Sequence, residues 1–182
     1  MWYYLLFGGI TEVLGFIYKD SWKFGFELFN NLFISFEATF YSIFFYDRLF
    51  KRKYNWIILI CYLVWQSSFW IHTLSIEEFV MNDAFYGINC LIYTSLSLFM
   101  YKSMLVGQEH QRLINSPDFW VNTGIFVCAA GGCLFFLLLD RVQSENIKVL
   151  VVLWMSFYSM LNLIRYSFIG LGLRKVYINE RR

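Results

Sequence analysis

Residues 116–140 read SPDFWVNTGIFVCAAGGCLFFLLLD, and this stretch decides the fold. The 21 residues from Phe119 to Leu139 carry no charge. At about 1.5 Å per residue, a helix of that length crosses a hydrocarbon core roughly 30 Å thick. Ser116 can cap the helix, Pro117 suits the first helical position where its missing N–H costs nothing, and Asp118 favours the positive end of the helix dipole. Pro117 is the single proline of the chain, and Asp140 and Arg141 close the run. Within it Gly124, Cys128 and Gly132 recur four apart beside Ala129, Ala130 and Gly131, so another helix can approach this face closely.

The rest of the chain repeats the theme. Of its 182 residues, 59% are apolar and 23% aromatic, whereas soluble domains hold roughly 45–50% apolar residues. Open strand edges do not lie in lipid, and the apolar runs are too long for barrel strands, so they read as helices. Six are expected, at about 2–18, 27–46, 55–74, 80–101, 118–139 and 147–173. Short connections without Pro/Ser-rich linkers join them, so residues 1–182 form a single transmembrane domain in this reading. The expected fold is all-α, a polytopic transmembrane helical bundle. No basic region precedes the first apolar run, so no signal peptide is expected and that run stays in the mature chain.

Basic residues orient the bundle. Arg48, Lys51, Arg52, Lys53, Lys102, Arg112, Arg174, Lys175, Arg181 and Arg182 fall on one side, ten in all. Four, Lys19, Lys23, Arg141 and Lys148, fall on the other, with Glu77 and Glu78 in its middle loop. The positive-inside rule puts the richer side, and with it both termini, in the cytoplasm. Trp22, Trp56, Trp70 and Trp120, with Tyr3, Tyr4, Tyr18, Tyr46, Tyr54 and Tyr101, sit near run ends, where amphipathic rings anchor at the interface.

Glu12 and Glu37 are the only acidic residues well inside apolar runs. Counted at ~1.5 Å per residue from Trp2 and from Tyr46, both come to lie ~14–15 Å above the cytoplasmic boundary, near mid-membrane. Adjacent helices can bring the two carboxyls together, which holds at least one neutral and lets a proton be stored or passed on. Other polar residues share helical faces: Asn30, Glu37 and Tyr41 on the second run; Asn82, Tyr86, Asn89 and Tyr93 on the fourth; Tyr158, Asn162 and Arg165 on the sixth. Two readings of this set stay open, a ligand, proton or ion site, and hydrogen bonds that only stitch helices together. Arg165, eight residues from the end of its run at Leu173, is expected to snorkel to the cytoplasmic surface, with pairing to a carboxylate in the core as the alternative.

Several functions are not supported. The four cysteines, Cys61, Cys90, Cys128 and Cys133, lie in apolar runs without C-x-x-C spacing and read as buried thiols, not metal ligands. A net charge of +2 gives no argument for nucleic acid. His72, near the outer end of its run, reads as an interface histidine, and Glu109, His110 and Arg112 as an exposed cytoplasmic loop. There is no Ser/His/Asp set, HExxH or Walker motif, so no enzyme, cofactor or metal is expected.

Glu12 to Gly15 read E-V-L-G, Phe36-Glu37 follows in the next run, Lys51-Arg52-Lys53 stops it, and S-P-D-F-W opens the fifth run at 116–120. In this order of features the chain resembles small polytopic membrane proteins of bacterial signalling loci, often encoded beside sensor histidine kinases. The resemblance covers nearly the whole chain and implies a multi-pass protein of the inner membrane with a signalling neighbourhood. It gives no residue a role. That family carries one more N-terminal helix, seven in all, so either the first is absent here or the start is assigned late. The function expected is a membrane sensor or signalling accessory that binds a small ligand, lipid or proton in the bundle core and moves a membrane or cytoplasmic partner. The competing expectation is an oligomeric pore or proton/ion-coupled transporter, such as a membrane effector of a defence system, which liposome flux would distinguish. A third is an assembly factor whose polar residues only fix packing.

Overall fold

The computed structural model of the chain describes residues 6, 8–10, 13, 23–49, 55–75, 83–107, 113–142 and 147–180. Among these, all regular structure is helical. They form five α-helices, α1 (Lys23–Leu49), α2 (Asn55–Ser75), α3 (Asp83–Gly107), α4 (Pro117–Val142) and α5 (Ile147–Glu180), with a 3-10 turn at Leu113–Asn115. These match the second to sixth expected runs. Of the first run, residues 6, 8–10 and 13 are helical and the rest lies outside the described residues.

The helices overrun their apolar stretches. α3 continues past Lys102 to Gly107, and α5 passes Leu173 to Glu180 through Arg174 and Lys175. Lys, Arg and Leu are good helix formers, so backbone hydrogen bonding continues where the apolar pattern has stopped. α4 starts on Pro117, after a turn closed by Ser116 N donating to Leu113 O at 2.9 Å. By length and composition, Pro117–Phe135 is the one helix among the described residues apolar enough to cross a membrane. Charged and amide residues such as Glu37, Asp47 and Arg48 in α1 and Asn89 and Lys102 in α3 lower the hydropathy of the others.

Two compact units divide the chain, Met1–Tyr86 and Gly87–Arg182. In the first, α1 and α2 pack antiparallel, as the pairing of Thr39 with Tyr62 and of Ser35 with Gln66 and Trp70 requires. Phe33, Ile34, Ala38, Phe44 and Phe45 of α1 and Phe69 of α2 are buried. Phe85, in the first turn of α3, closes against α2, its ring 4.9 Å from Trp65, 5.9 Å from Phe69 and 5.4 Å from His72.

In the second unit, α4 and α5 make the most extensive helix contact, and glycines explain it. A Cβ on Gly124 would stand 3.0 Å from Arg165 O and 3.1 Å from Phe168 Cβ; one on Gly131 would stand 2.7 Å from Leu161; one on Gly172 would stand 2.7 Å from Val121. Gly124 and Gly131 are seven residues apart, close to two turns of 3.6, so they share a face. Cys128 and Gly132, the other members of the expected small-residue face, are buried. Stacked pairs flank the contact, Trp120 on Phe168 (5.8 Å, 21°) and Phe135 on Phe157 (6.0 Å, 19°). The link between α3 and α4 is made by larger side chains: Tyr101 lies edge-on to Phe119 and Phe126 and donates to Thr123 Oγ1 at 2.7 Å.

Candidate functional site

On α2 and α3, polar side chains share the inner faces with aromatic ones, and the exposed faces are largely aliphatic. On α2, Tyr62, Gln66, Phe69 and Thr73 recur at helical spacing on the inner face, while Leu59, Ile60, Leu63, Val64, Ile71 and Leu74 are exposed. On α3, Asn89, Cys90, Tyr93, Ser97 and Met100 are buried, while Ile88, Leu91, Ile92, Leu98, Phe99 and Leu105 are exposed. α5 is mixed: it buries Leu161 and Ile169 with Asn162 and Arg165, and exposes Met160, Leu163 and Leu171 beside Ser156, Ser159, Ser167 and Arg174. Isolated exposed leucines are ordinary on a protein surface, but the apolar stripes of α2 and α3, with amides and hydroxyls on the opposite faces, depart from the pattern of a helix made for water.

The first unit holds a polar seam between α1 and α2. Trp70 Nε1 donates to Ser35 Oγ at 3.1 Å, and Ser35 Oγ donates to Gln66 Oε1 at 2.8 Å. Gln66 Nε2 donates to Tyr62 OH and to Ser35 O, each at 3.1 Å, and Thr39 Oγ1 donates to Ser35 O at 2.8 Å. Thr39 and Tyr62 hydroxyls also bond to each other. Because Thr39 directs its proton to Ser35 O, Tyr62 donates in that pair, so each proton of the seam has one assignment. A carboxamide, which does not relay protons as a hydroxyl does, sits in the middle of the network. The seam therefore clamps α1 to α2.

The expected site residues are distributed as follows. Glu12 lies outside the described residues, as does the Asn30 side chain, so the Glu12–Glu37 juxtaposition is not among the described geometry. Glu37 is 5% exposed and Tyr41 3%. In the second unit Asn89, Asn162 and Arg165 are buried, Arg165 at 0% exposure and the largest fully buried side chain described. This corrects the snorkelling expectation: instead of reaching for the surface, the guanidinium stays inside, with Nη2 donating to Tyr166 OH at 3.2 Å and the Tyr166 ring 4.8 Å from its central carbon. Asn122 Nδ2, on α4, donates to Ser97 O of α3 at 3.1 Å. Gly124, two residues further on in α4, packs against α5 at the Arg165 carbonyl.

Other residues take roles the sequence reading does not give them. Trp70, expected as an interface anchor, donates within the seam. Trp120, also expected as an interface anchor, donates to Ile114 O at 2.7 Å and so ties the start of α4 to the turn before it. Ser35, Thr39, Tyr62 and Gln66 carry no expectation, although their four-residue spacings place them on facing stripes. His72 is exposed. Asn82, Glu109, His110, Arg112 and the Lys51–Lys53 cluster lie outside the described residues, and Arg48 meets exposed Asp47 at 3.5 Å in a solvated pair that contributes little to stability. Among the described residues, no three or more His, Cys, Asp or Glu side chains gather as a metal site.

No protein-family model, curated protein or solved structure matches the chain.

Proposed function

We propose that the protein is an integral, multi-pass protein of a bacterial inner membrane, a polytopic helical bundle with both termini in the cytoplasm. It acts as a sensor or signalling accessory that holds a small ligand, lipid or proton in its core and passes a helix movement to a membrane or cytoplasmic partner. The observation that carries this reading is the row of exposed apolar side chains along α2 and α3, with polar side chains on their inner faces. In water, exposing six large apolar residues on one face of α2 while burying Arg165 would be doubly unfavourable; against lipid, the first term vanishes and the second is what intramembrane functional residues display. Buried Glu37 adds to this support, since an acidic residue inside a membrane is costly and marks functional positions.

The oligomeric pore or transporter is the weaker reading. A conduit needs polar groups turned to water, whereas those of the α1–α2 seam are committed to one another. The sensor reading is tested by Glu12→Gln combined with Glu37→Gln, read as phosphorylation of a co-encoded sensor kinase at matched membrane abundance. Altered kinase phosphorylation with unchanged abundance is expected. Wild-type phosphorylation across all conditions would remove the core carboxyls from the account.

A further inference from the structure

Ser97 and Asn122 are both fully buried, on α3 and α4 of the second unit. The bond from Asn122 Nδ2 to Ser97 O holds the amide against this serine and fixes which way the amide faces. Each of the two bonded residues then keeps one leftover polar atom. Ser97 Oγ and Asn122 Oδ1 make no hydrogen bond, with each other or with any other described group. Neighbouring hydroxyls behave differently: Thr94 donates to Cys90 O at 2.7 Å, Ser95 to Leu91 O at 2.9 Å, and Thr123 to Phe119 O at 2.7 Å. A helical serine normally has the carbonyl one turn back within reach, and Ser97 does not use it.

We propose that Ser97 and Asn122 together hold one small uncharged molecule that both donates and accepts a hydrogen bond, a water or the hydroxyl group of a small ligand. The molecule accepts from Ser97 Oγ and donates to Asn122 Oδ1, which satisfies both leftover atoms at once. Buried polar atoms without partners are rare because each retains its full desolvation penalty, and bound molecules are the usual remedy. A metal cation would require more oxygen ligands than this pair offers, and an anion more donors than one hydroxyl. The inference names a ligand class for the bundle core and rests on the reading of that core as a binding site.

The test is Ser97→Ala in the full-length protein, with Tm measured in lipid nanodiscs beside Ser95→Ala, whose hydroxyl is exposed and bonded to its own helix. Alanine is the best helix former, so folding is kept. An occupied site predicts a Tm lowered by several degrees for Ser97→Ala and unchanged for Ser95→Ala. A Ser97→Ala protein as stable as wild type, or more so, would overturn the proposal, because the hydroxyl would then have been a pure penalty. Exhaustive dialysis and native mass spectrometry distinguish the two sources. Water leaves the wild-type Tm unchanged, while a hydroxyl-bearing ligand appears as added mass and its removal lowers the Tm toward that of the variant. Kinase phosphorylation does not enter this test, so it can fail independently of the sensor reading.

Discussion

Ser35 concentrates the chemistry of the α1–α2 contact in one side chain. Its hydroxyl accepts from Trp70 and donates to Gln66, and its carbonyl accepts from Thr39 and Gln66. Ser35→Ala leaves Gln66 Oε1 and Trp70 Nε1 without this partner, at a cost of about 1–3 kcal/mol for a part-buried polar group. Chemical unfolding in detergent should show that loss, whereas Ser68→Ala, which removes an exposed hydroxyl bonded to its own helix at Val64 O, should stay within roughly 0.5 kcal/mol of wild type. Equal stability of the two variants would deny the seam its clamping role. The residues of this seam were legible as spacing, Ser35 to Thr39 and Tyr62 to Gln66 to Trp70, but neutral hydroxyls and amides occur throughout helices and draw less attention than charges. Arg165 shows the opposite limit. Its charge marked it, yet whether a long side chain reaches the interface or stays inside is decided by the helices around it, which a linear pattern does not contain.

At the scale of elements, α4 and α5 are held by approach distance. Gly124→Ala would place a methyl 3.0 Å from the Arg165 carbonyl and 3.1 Å from Phe168 Cβ, neither a flexible side-chain end, so α5 must give by a few tenths of an ångström. A loss of about 1–3 kcal/mol is expected for such overpacking. Gly170, on α5, has nothing within 4 Å of its would-be Cβ, and Gly170→Ala should be neutral or stabilising by up to about 1 kcal/mol through helix propensity. Parallel thermal unfolding of the two variants checks the contrast, and a Gly124→Ala protein at least as stable as Gly170→Ala would contradict close packing. The helices themselves were legible because long uncharged runs leave few alternatives, and Ser116-Pro117-Asp118 marked the start of α4 correctly. Their far ends were not: α5 reaches Glu180 because Arg174 and Lys175 favour helix whether or not lipid surrounds them. The small-residue face of α4 was visible too, but its partner glycine, Gly172 of α5, emerges only when Val121 and the Pro117 carbonyl are found against it.

For the molecule as a whole, the proposed function places lipid, not water, against the exposed apolar faces. Cys61 reports on it. This thiol is exposed on α2 beside the exposed side chains of Leu59, Ile60, Leu63 and Val64, about 9 Å along the helix from Asn55. The measurement uses a protein in which Cys61 is the only thiol, with Cys90, Cys128 and Cys133 replaced by Ala, treated with a charged, membrane-impermeant maleimide. In intact membranes the account predicts no labelling, because the reagent stays in water while the thiol faces hydrocarbon, and full labelling once SDS removes the bilayer. Labelling in intact membranes at the rate of a free, water-exposed thiol would contradict it.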